Sequence, residues 1–255
     1  PAKGFKLVLQ PSKSGFVATT TRLLCMVLPV ARNMGVVKKP AIRNLGHEMH
    51  GQRVGRFQER ARMKALQARR RKLAILRHAA GGRVARLLRT GLLPSAGHGA
   101  RVSGIGDKAL RELRSVASEL VGAKKGASLT SYLLLQPGAL YDPIADSTIA
   151  PIQEYAAWIW EQRGSLGRLQ RAWMKMEGKI NQHASWALAR GPMTAVWLSL
   201  LRIGWDMKAA HIFKDDEGKL LSLLHLSPVD VVQLLKLGIQ RWQGEANCHA
   251  FPRAC

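Results

Sequence analysis

Apolar residues recur along most of the chain at spacings of three and four, the period of helices that bury one face. The clearest case follows Asp107, a good N-cap residue, where Leu110 and Leu113 fall on one face. A long periodic segment also stops at Gly81 and Gly82, as helices commonly do at glycine. The pattern predicts helices over about 20–34, 53–80, 83–93, 107–121, 151–160, 165–177, 191–203 and 228–243.

Prolines set several of these predicted boundaries. Pro29 is expected to kink or shorten the first helix, and Pro94 to end the helix that starts at Arg83. Pro151 is expected at the first position of its helix, where its missing N–H costs nothing. Residues 95–106 are rich in glycine and small residues and are expected to form a loop.

Short runs rich in β-branched residues predict a few strands. Most lie before Gly46, and a pair flanks the polar turn that ends at Gly218. The predicted fold is mainly α, with a small α+β piece at the N-terminus and one β-hairpin within a helical domain. The predicted strands are Lys6–Gln10, Gly15–Thr19, Val36–Val37, Ala41–Leu45, His211–Phe213 and Leu220–Leu224.

The 255 residues suffice for one large or two small domains, and charge divides them unevenly. Residues 1–115 carry 25 Lys and Arg against 4 Asp and Glu, whereas residues 116–255 carry 15 against 12. We expect three regions: an α+β piece at 1–50, a basic helical segment at 51–106, and a helical domain at 107–255 with a hairpin near 211–224.

The net charge of +24 calls for an anionic partner, and nucleic acid is the commonest one for such a chain. Three scattered cysteines fit reduced thiols in an intracellular protein and suggest neither a disulfide framework nor a four-ligand zinc site. No apolar stretch approaches the roughly twenty residues that cross a bilayer, so no membrane partner is expected. The start at Pro1, without a leader, suggests a fragment.

The helix predicted at 53–80 is strongly basic, with ten Lys and Arg against the single acid Glu59. A solvated face and a membrane-surface helix are alternative readings, but neighbouring like charges destabilise a helix, and only Phe57 is aromatic. Contact with a phosphate backbone explains the charge best. The candidate nucleic-acid-binding residues, which include three arginines just beyond this helix, are Arg53, Arg56, Arg60, Lys64, Arg69, Arg70, Arg71, Lys72, Arg83, Arg86 and Arg89.

Other candidate sites favour structural roles. His47 and His50 are spaced by three rather than four and are expected in a metal-free loop. The carboxylates at 215–217 suit a turn better than a two-metal site. Asp142 and Asp146 are expected in a Pro-rich loop, with Asp146 as a turn or cap residue. Four tryptophans at helical spacing, which would stack on bases if exposed, are more typical of core: Trp158, Trp160, Trp173 and Trp186.

Three stretches, in order, resemble non-LTR (LINE-type) retrotransposon reverse transcriptases near the end of the palm. They are residues 11–19, with Lys13-Ser14, residues 31–36, and residues 41–46, with Arg43-Asn44-Leu45-Gly46. Residues 88–100 resemble the family's thumb, and the rest is similar to the connector of such polyproteins from dinoflagellate algae. The family's Tyr/Phe-x-Asp-Asp segment is missing, and His98 stands where an aromatic is usual.

The resemblance implies a reverse transcriptase (RNA-directed DNA polymerase) whose catalytic aspartates lie upstream of Pro1 or are lost. The chain would then hold RNA or an RNA/DNA duplex without polymerising, and it would contain no catalytic residue, no metal ligand and no cofactor. Mg²⁺ is expected only in a full-length polymerase, whose upstream portion would be a partner. A basic RNA-binding or ribonucleoprotein scaffold without polymerase ancestry is the alternative. The oligomeric state and any enzymatic activity stay open.

Overall fold

The fold comes from a computed structural model, and its described residues form two compact units, 1–58 and 59–255. Among the helices in the described part, none is long and apolar enough to span a bilayer. The architecture is mainly helical with small sheets, which confirms the predicted fold class. The described residues are 15–16, 21–38, 41–44, 47–50, 57–80, 83–121, 142–161, 166–180, 185–189 and 191–250.

The first unit combines one helix with short strand pairs. The helix continues through Pro29, so the expected shortening did not occur. β1 pairs in parallel with β2, and β3 pairs antiparallel with β4. His47–His50 is therefore a strand and not the predicted loop, while the strand predicted at 6–10 lies outside the described residues. The elements are β1 (Gly15–Phe16), α1 (Thr21–Asn33), β2 (Val37–Lys38), β3 (Ala41–Asn44) and β4 (His47–His50).

The second unit is built from helices around one small antiparallel sheet, and the first two residues of α2 precede it. Its helices are α2 (Phe57–Ala80), α3 (Val84–Leu87), α4 (Leu93–Ala96), α5 (Ala100–Ser103), α6 (Asp107–Val121), α7 (Pro143–Glu161), α8 (Leu166–Ile180), α9 (Pro192–Leu201) and α10 (Pro228–Ala250). Its strands are β5 (Asp206–Ala209), β6 (Ile212–Lys214) and β7 (Leu220–Ser222), in that order across the sheet.

Two apolar clusters hold this unit together. We call the first the basic helical cluster; it joins the inner faces of α2 to α6 with Ile144 of α7. The second, the tryptophan-rich cluster, joins α7 to α10 and the sheet, with Trp173, Trp197 and Trp205 buried. Because α6 packs against α2, the helix that begins at Asp107 belongs to the basic helical cluster. The predicted boundaries at 50/51 and 106/107 stay predictions.

Two of the predicted proline boundaries are wrong. Pro151 lies inside α7, because the helix begins eight residues earlier, where the Asp142 carboxylate accepts the Ile144 N–H at 3.0 Å and Pro143 takes the first position. Pro94 lies in the first turn of α4, where its missing N–H has no helical partner to lose. The expected loop at 95–106 also contains the end of α4 and all of α5.

The last helix begins with reciprocal hydrogen bonds between Ser227 and Asp230. The Ser227 hydroxyl accepts the Asp230 N–H at 3.2 Å, and the Asp230 carboxylate accepts the Ser227 N–H at 3.3 Å. Further along, a Cβ on Gly238 would lie 2.8 Å from the indole nitrogen of Trp205, so α10 approaches the sheet closely only at a glycine. The predicted hairpin is confirmed as β6 and β7, but β5 was not predicted.

Candidate nucleic-acid interface

One face of α2 is buried and thereby fixes which of its cations reach solvent. Met63, Leu66 and Leu73, spaced by three and seven, are at most 8% exposed and pack in the basic helical cluster. The opposite face carries four exposed cations. Within the described part of the chain, none of them makes a hydrogen bond or an ion pair. These are Arg60, Lys64, Arg69 and Lys72.

A strip of exposed alanines separates these cations. Ala61, Ala65 and Ala68 follow one another at spacings of four and three along the outward face. By helical geometry, Lys64 lies on one side of the strip and Arg69 on the other. A smooth strip flanked by flexible cations lets a polyanion approach the helix surface while ammonium and guanidinium groups reach phosphates on both sides.

Two other arginines of α2 have internal partners. Arg70 donates from Nε and Nη2 to both carboxylate oxygens of Glu119 in α6, and Arg77 donates to the Glu119 carbonyl at 2.6 Å. The pairing raises the pKa of Arg70 and fixes α2 against α6. Arg70 therefore has a structural partner that its position in the sequence does not reveal.

Three of the predicted binding residues lie wholly or partly outside what the structure describes. Arg53 and Arg56 lie outside the described residues, and so does the start predicted for the helix at 53. Arg71 lies within α2, but its side chain is also outside what the structure describes. The end of α2 at Ala80 agrees with the prediction.

Arg83, Arg86 and Arg89 form a second exposed series, spaced by three residues. A π-helical turn at Leu88–Leu92, closed by the Leu93 N–H on the Leu88 carbonyl, interrupts the helical run here. The extra residue turns Leu88, Leu92 and Leu93 inward together, where each is at most 8% exposed. The three arginines remain on the solvent side, without partners among the described residues.

The start of α2 is attached to the loop before α6. The Glu59 carboxylate accepts the Gly106 N–H at 3.0 Å, so the lone acid of the helix binds the positive end of α6. Nearby, Arg202 donates to Asp107 at 2.8 Å and to the Ile105 carbonyl at 2.6 Å. Its burial lowers the pKa of Arg202. These contacts join the two apolar clusters at one point.

The indole of Trp186 completes this junction. Its ring lies 4.7 Å from the guanidinium carbon of Arg202, and its nitrogen donates to Asp107 at 3.0 Å. Gly104, with φ of +62°, lies so close that any Cβ would overlap the ring. Trp186 therefore serves packing in this structure, while Trp158 and Trp160 are 44% and 38% exposed, contrary to core placement.

The carboxylates at 215–217 do not fit a metal site. Asp215 accepts the Lys219 N–H at 2.7 Å, and Asp216 accepts from Arg241 and from the Trp205 indole at 2.7 Å. These bonds close the turn, as predicted, and occupy the oxygens that a Mg²⁺ pair would need. Across the described residues, no group of three His, Cys, Asp or Glu side chains is placed to hold a metal.

Asp142 is the buried carboxylate with the most partners. It accepts from Arg114 at 2.8 and 3.0 Å and from Gln243 at 3.1 Å, besides capping α7. It is thus a structural residue that joins three helices. Asp146 lies exposed in the first turn of α7.

One basic face escaped the sequence reasoning. Arg168, Arg171 and Lys175 of α8 recur at spacings of three and four and are all exposed. The signal is present in the sequence, but the nearly balanced charge of the C-terminal half conceals it.

Comparison with known proteins adds no relative. No protein-family model matches the chain, and no curated protein or solved structure is significantly similar to it.

Proposed function

We propose that this chain binds an RNA or RNA/DNA duplex through its phosphate backbone. One observation carries the proposal: the four exposed cations of α2 have no partner in the described part of the chain, although Arg70 and Arg77 of the same helix do. Four like charges held on one helix repel one another, and a bound polyanion neutralises them. The counterions that the polyanion then releases favour binding further. The series Arg83, Arg86 and Arg89 extends the proposed surface.

The outward face of α2 favours nucleic acid over a membrane surface. An interfacial helix buries bulky residues such as Trp, Phe and Leu in the acyl boundary. The first turns of α2 present Ala61, Ala65 and Ala68 instead, which bury little area. The exposed bulky residues of α2, Ile75 and Leu76, lie in later turns, so the cations at 60–72 have small alanines beside them, which suits contact with phosphates.

Binding of this kind is insensitive to base sequence. Lys and Arg contacts to phosphates fix orientation and register but carry no base information. The narrow major groove of an A-form duplex also excludes side chains from the base edges. The protein therefore holds its duplex by backbone shape and charge.

The resemblance to non-LTR retrotransposon reverse transcriptases supports placing this surface after a polymerase palm, inside the cell, with the upstream polymerase portion as a partner. In that setting the chain positions template and primer without chemistry of its own. The adjacent carboxylates of Asp215 and Asp216 already accept hydrogen bonds from the Lys219 N–H and from Arg241.

The test uses the intact chain and a fluorescein-labelled 20-base-pair RNA/DNA hybrid. Fluorescence anisotropy in dilute buffer should report tight binding that competing heparin or unlabelled duplex of unrelated sequence removes. The absence of binding in dilute buffer would contradict the proposal. Extension of a primer by the chain alone, with Mg²⁺ and dNTPs, would contradict its non-catalytic part.

A further inference from the structure

A cavity of about 450 Å³ opens between the π-helical turn, the α4–α5 loop and the first half of α7. Leu93, Ile105 and Ile149, each at most 8% exposed, form an apolar floor. Small-molecule sites span about 300–1,000 Å³ and combine such a floor with a few polar groups. The cavity has room for one nucleotide and not for a longer segment.

The rim of this cavity is polar and carries a free cation. Arg89 and His98 are exposed, and neither has a hydrogen-bond or ion-pair partner among the described residues. Arg101 already forms an ion pair with Glu154, at 2.5 Å. The rim therefore offers one guanidinium to an anion.

Two hydrogen-bonding side chains complete the rim on the α7 side. Asp146 and Gln153 both line the cavity and are exposed. A carboxylate accepts hydrogen bonds from amino groups, and an amide both donates and accepts. An exocyclic amino group offers two N–H donors to this side, whereas the Watson–Crick edge of uracil offers one, its N3–H, so an amino-bearing base fits better.

The loop that carries His98 needs glycine on both sides. Gly99 has φ of +83°, a conformation that side chains rarely adopt. A Cβ on Gly97 would lie 3.0 Å from the Leu93 carbonyl oxygen, tighter than ordinary packing. These glycines hold the imidazole at the mouth and keep the wall of the cavity thin.

The cavity continues the proposed phosphate-binding surface. Arg83, Arg86 and Arg89 are exposed at intervals of three residues, about 5–6 Å apart on a helix, and Arg89 also lines the cavity. A strand whose phosphates follow this series reaches the mouth at Arg89. Its next base then meets an apolar floor in place of water.

We propose that this cavity binds a single unpaired nucleotide that carries an amino-bearing base, with its phosphate on Arg89 and its base on the apolar floor, facing Asp146 and Gln153. The inference rests on the proposed function, since it treats the cavity as the end of the same phosphate track. It adds a base-dependent site to a surface that otherwise reads only backbone.

The test measures binding of AMP, UMP, adenosine and inorganic phosphate to the intact chain by calorimetry. AMP should bind more tightly than each of the others. Arg89→Ala should weaken the binding of AMP about tenfold, as loss of a charged hydrogen bond does. The matched control Arg86→Ala should change the affinity for AMP less than about twofold. Arg86 is equally exposed in the same series but does not line the cavity.

A second measurement locates the site. Photolabelling with 8-azido-AMP should mark peptides within 93–101 or 143–153, and Ala150→Trp, which fills the cavity, should abolish the label. If that variant fails to fold by circular dichroism, the Arg89 and Arg86 variants decide. Undetectable AMP binding at millimolar concentration, equal effects of the two arginines, phosphate binding as tight as AMP, or labelling elsewhere would overturn the inference.

The duplex assay on the same samples separates this inference from the proposed function. Replacing Arg60, Lys64, Arg69 and Lys72 with Ala should weaken binding of the duplex and leave the affinity for AMP unchanged. Duplex binding without AMP binding overturns the cavity proposal alone. AMP binding without duplex binding overturns the proposed function and leaves the cavity as an independent nucleotide site.

Discussion

The two apolar clusters of the second unit differ in the balance of basic and acidic residues around them. Residues 59–121, which supply most of the basic helical cluster, contain 15 Lys and Arg against 4 Asp and Glu. Residues 142–250, around the tryptophan-rich cluster, contain 12 against 11. There, some cations pair with nearby carboxylates, as Arg241 does with Asp216 and Lys208 with Asp206, both at 2.5 Å, while others such as Lys236 stay exposed.

The difference shows what an arginine contributes to each region. Where acids are available, charge closes turns and joins elements of the fold. Where acids are scarce, a few cations such as Arg70 bind the available carboxylates, and others such as Lys64 and Arg69 stay exposed. If exposed, unpaired cations bind a partner and paired charges stabilise the fold, substitutions of the first should weaken binding and substitutions of the second should lower stability.

The largest effect should come from the buried carboxylate of Asp142. Asp142→Ala removes the ion pair with Arg114, which is only 13% exposed, and removes the cap of α7. We expect the free energy of unfolding to fall by about 3–5 kcal/mol, measured by urea denaturation at pH 7. Asp146→Ala, in the same helix but exposed, should cost less than about 0.5 kcal/mol. Similar losses for both would contradict the structural role of Asp142.

The next effect should appear in binding and not in stability. Replacing Arg60, Lys64, Arg69 and Lys72 with Ala should weaken the RNA/DNA hybrid about a hundredfold in 0.1 M salt, by anisotropy. The matched control removes four exposed cations from the other region, namely Arg171, Lys175, Lys219 and Lys236. An equal loss in the control would show that total charge, and not the face of α2, binds the duplex.

Two adjacent arginines sharpen the comparison within one helix. Arg70→Ala should lower the free energy of unfolding by about 0.5–1 kcal/mol, since its pair with Glu119 is half-exposed, and should leave duplex binding nearly unchanged. Arg69→Ala should weaken binding about threefold without a measurable stability change. The comparison fails if both variants weaken binding equally.

The smallest effect concerns acid. The Arg241 guanidinium lowers the pKa of Asp216, so this carboxylate stabilises the fold above its unfolded-state pKa, and the contribution disappears as pH falls through the folded-state pKa. Asp216→Asn should therefore cost about 0.5 kcal/mol at pH 7, and its difference from the parent should shrink below about pH 4. Denaturation curves from pH 7 to 3 test this; a difference that grows with acid would be contrary to it.

Much of the fold was predictable because local signals determine it. Asp107 begins α6, Ser227 and Asp230 open α10, and the polar turn before Gly218 joins β6 to β7. Pro151 misled because the true helix start depends on Asp142, whose carboxylate is also bound by Gln243, 101 residues away. The π-helical turn left no recognisable pattern.

The same distinction limits prediction of the interface. The predicted set contained all four exposed cations of α2, which lie away from the face buried by Met63, Leu66 and Leu73. It could not identify Arg70 as paired, since Glu119 lies 49 residues further along the chain. The cavity at Arg89 joins segments about 50 residues apart and was equally invisible.

The salt dependence of duplex binding tests the central claim most directly. We expect the logarithm of the association constant to fall linearly with the logarithm of salt concentration, with a slope of about −5 if six cations contact phosphates. Loss of Arg60, Lys64, Arg69 and Lys72 should bring the slope to about −2. A slope near zero, or one that this variant leaves unchanged, would contradict the claim that the exposed cations of α2 hold a phosphate backbone.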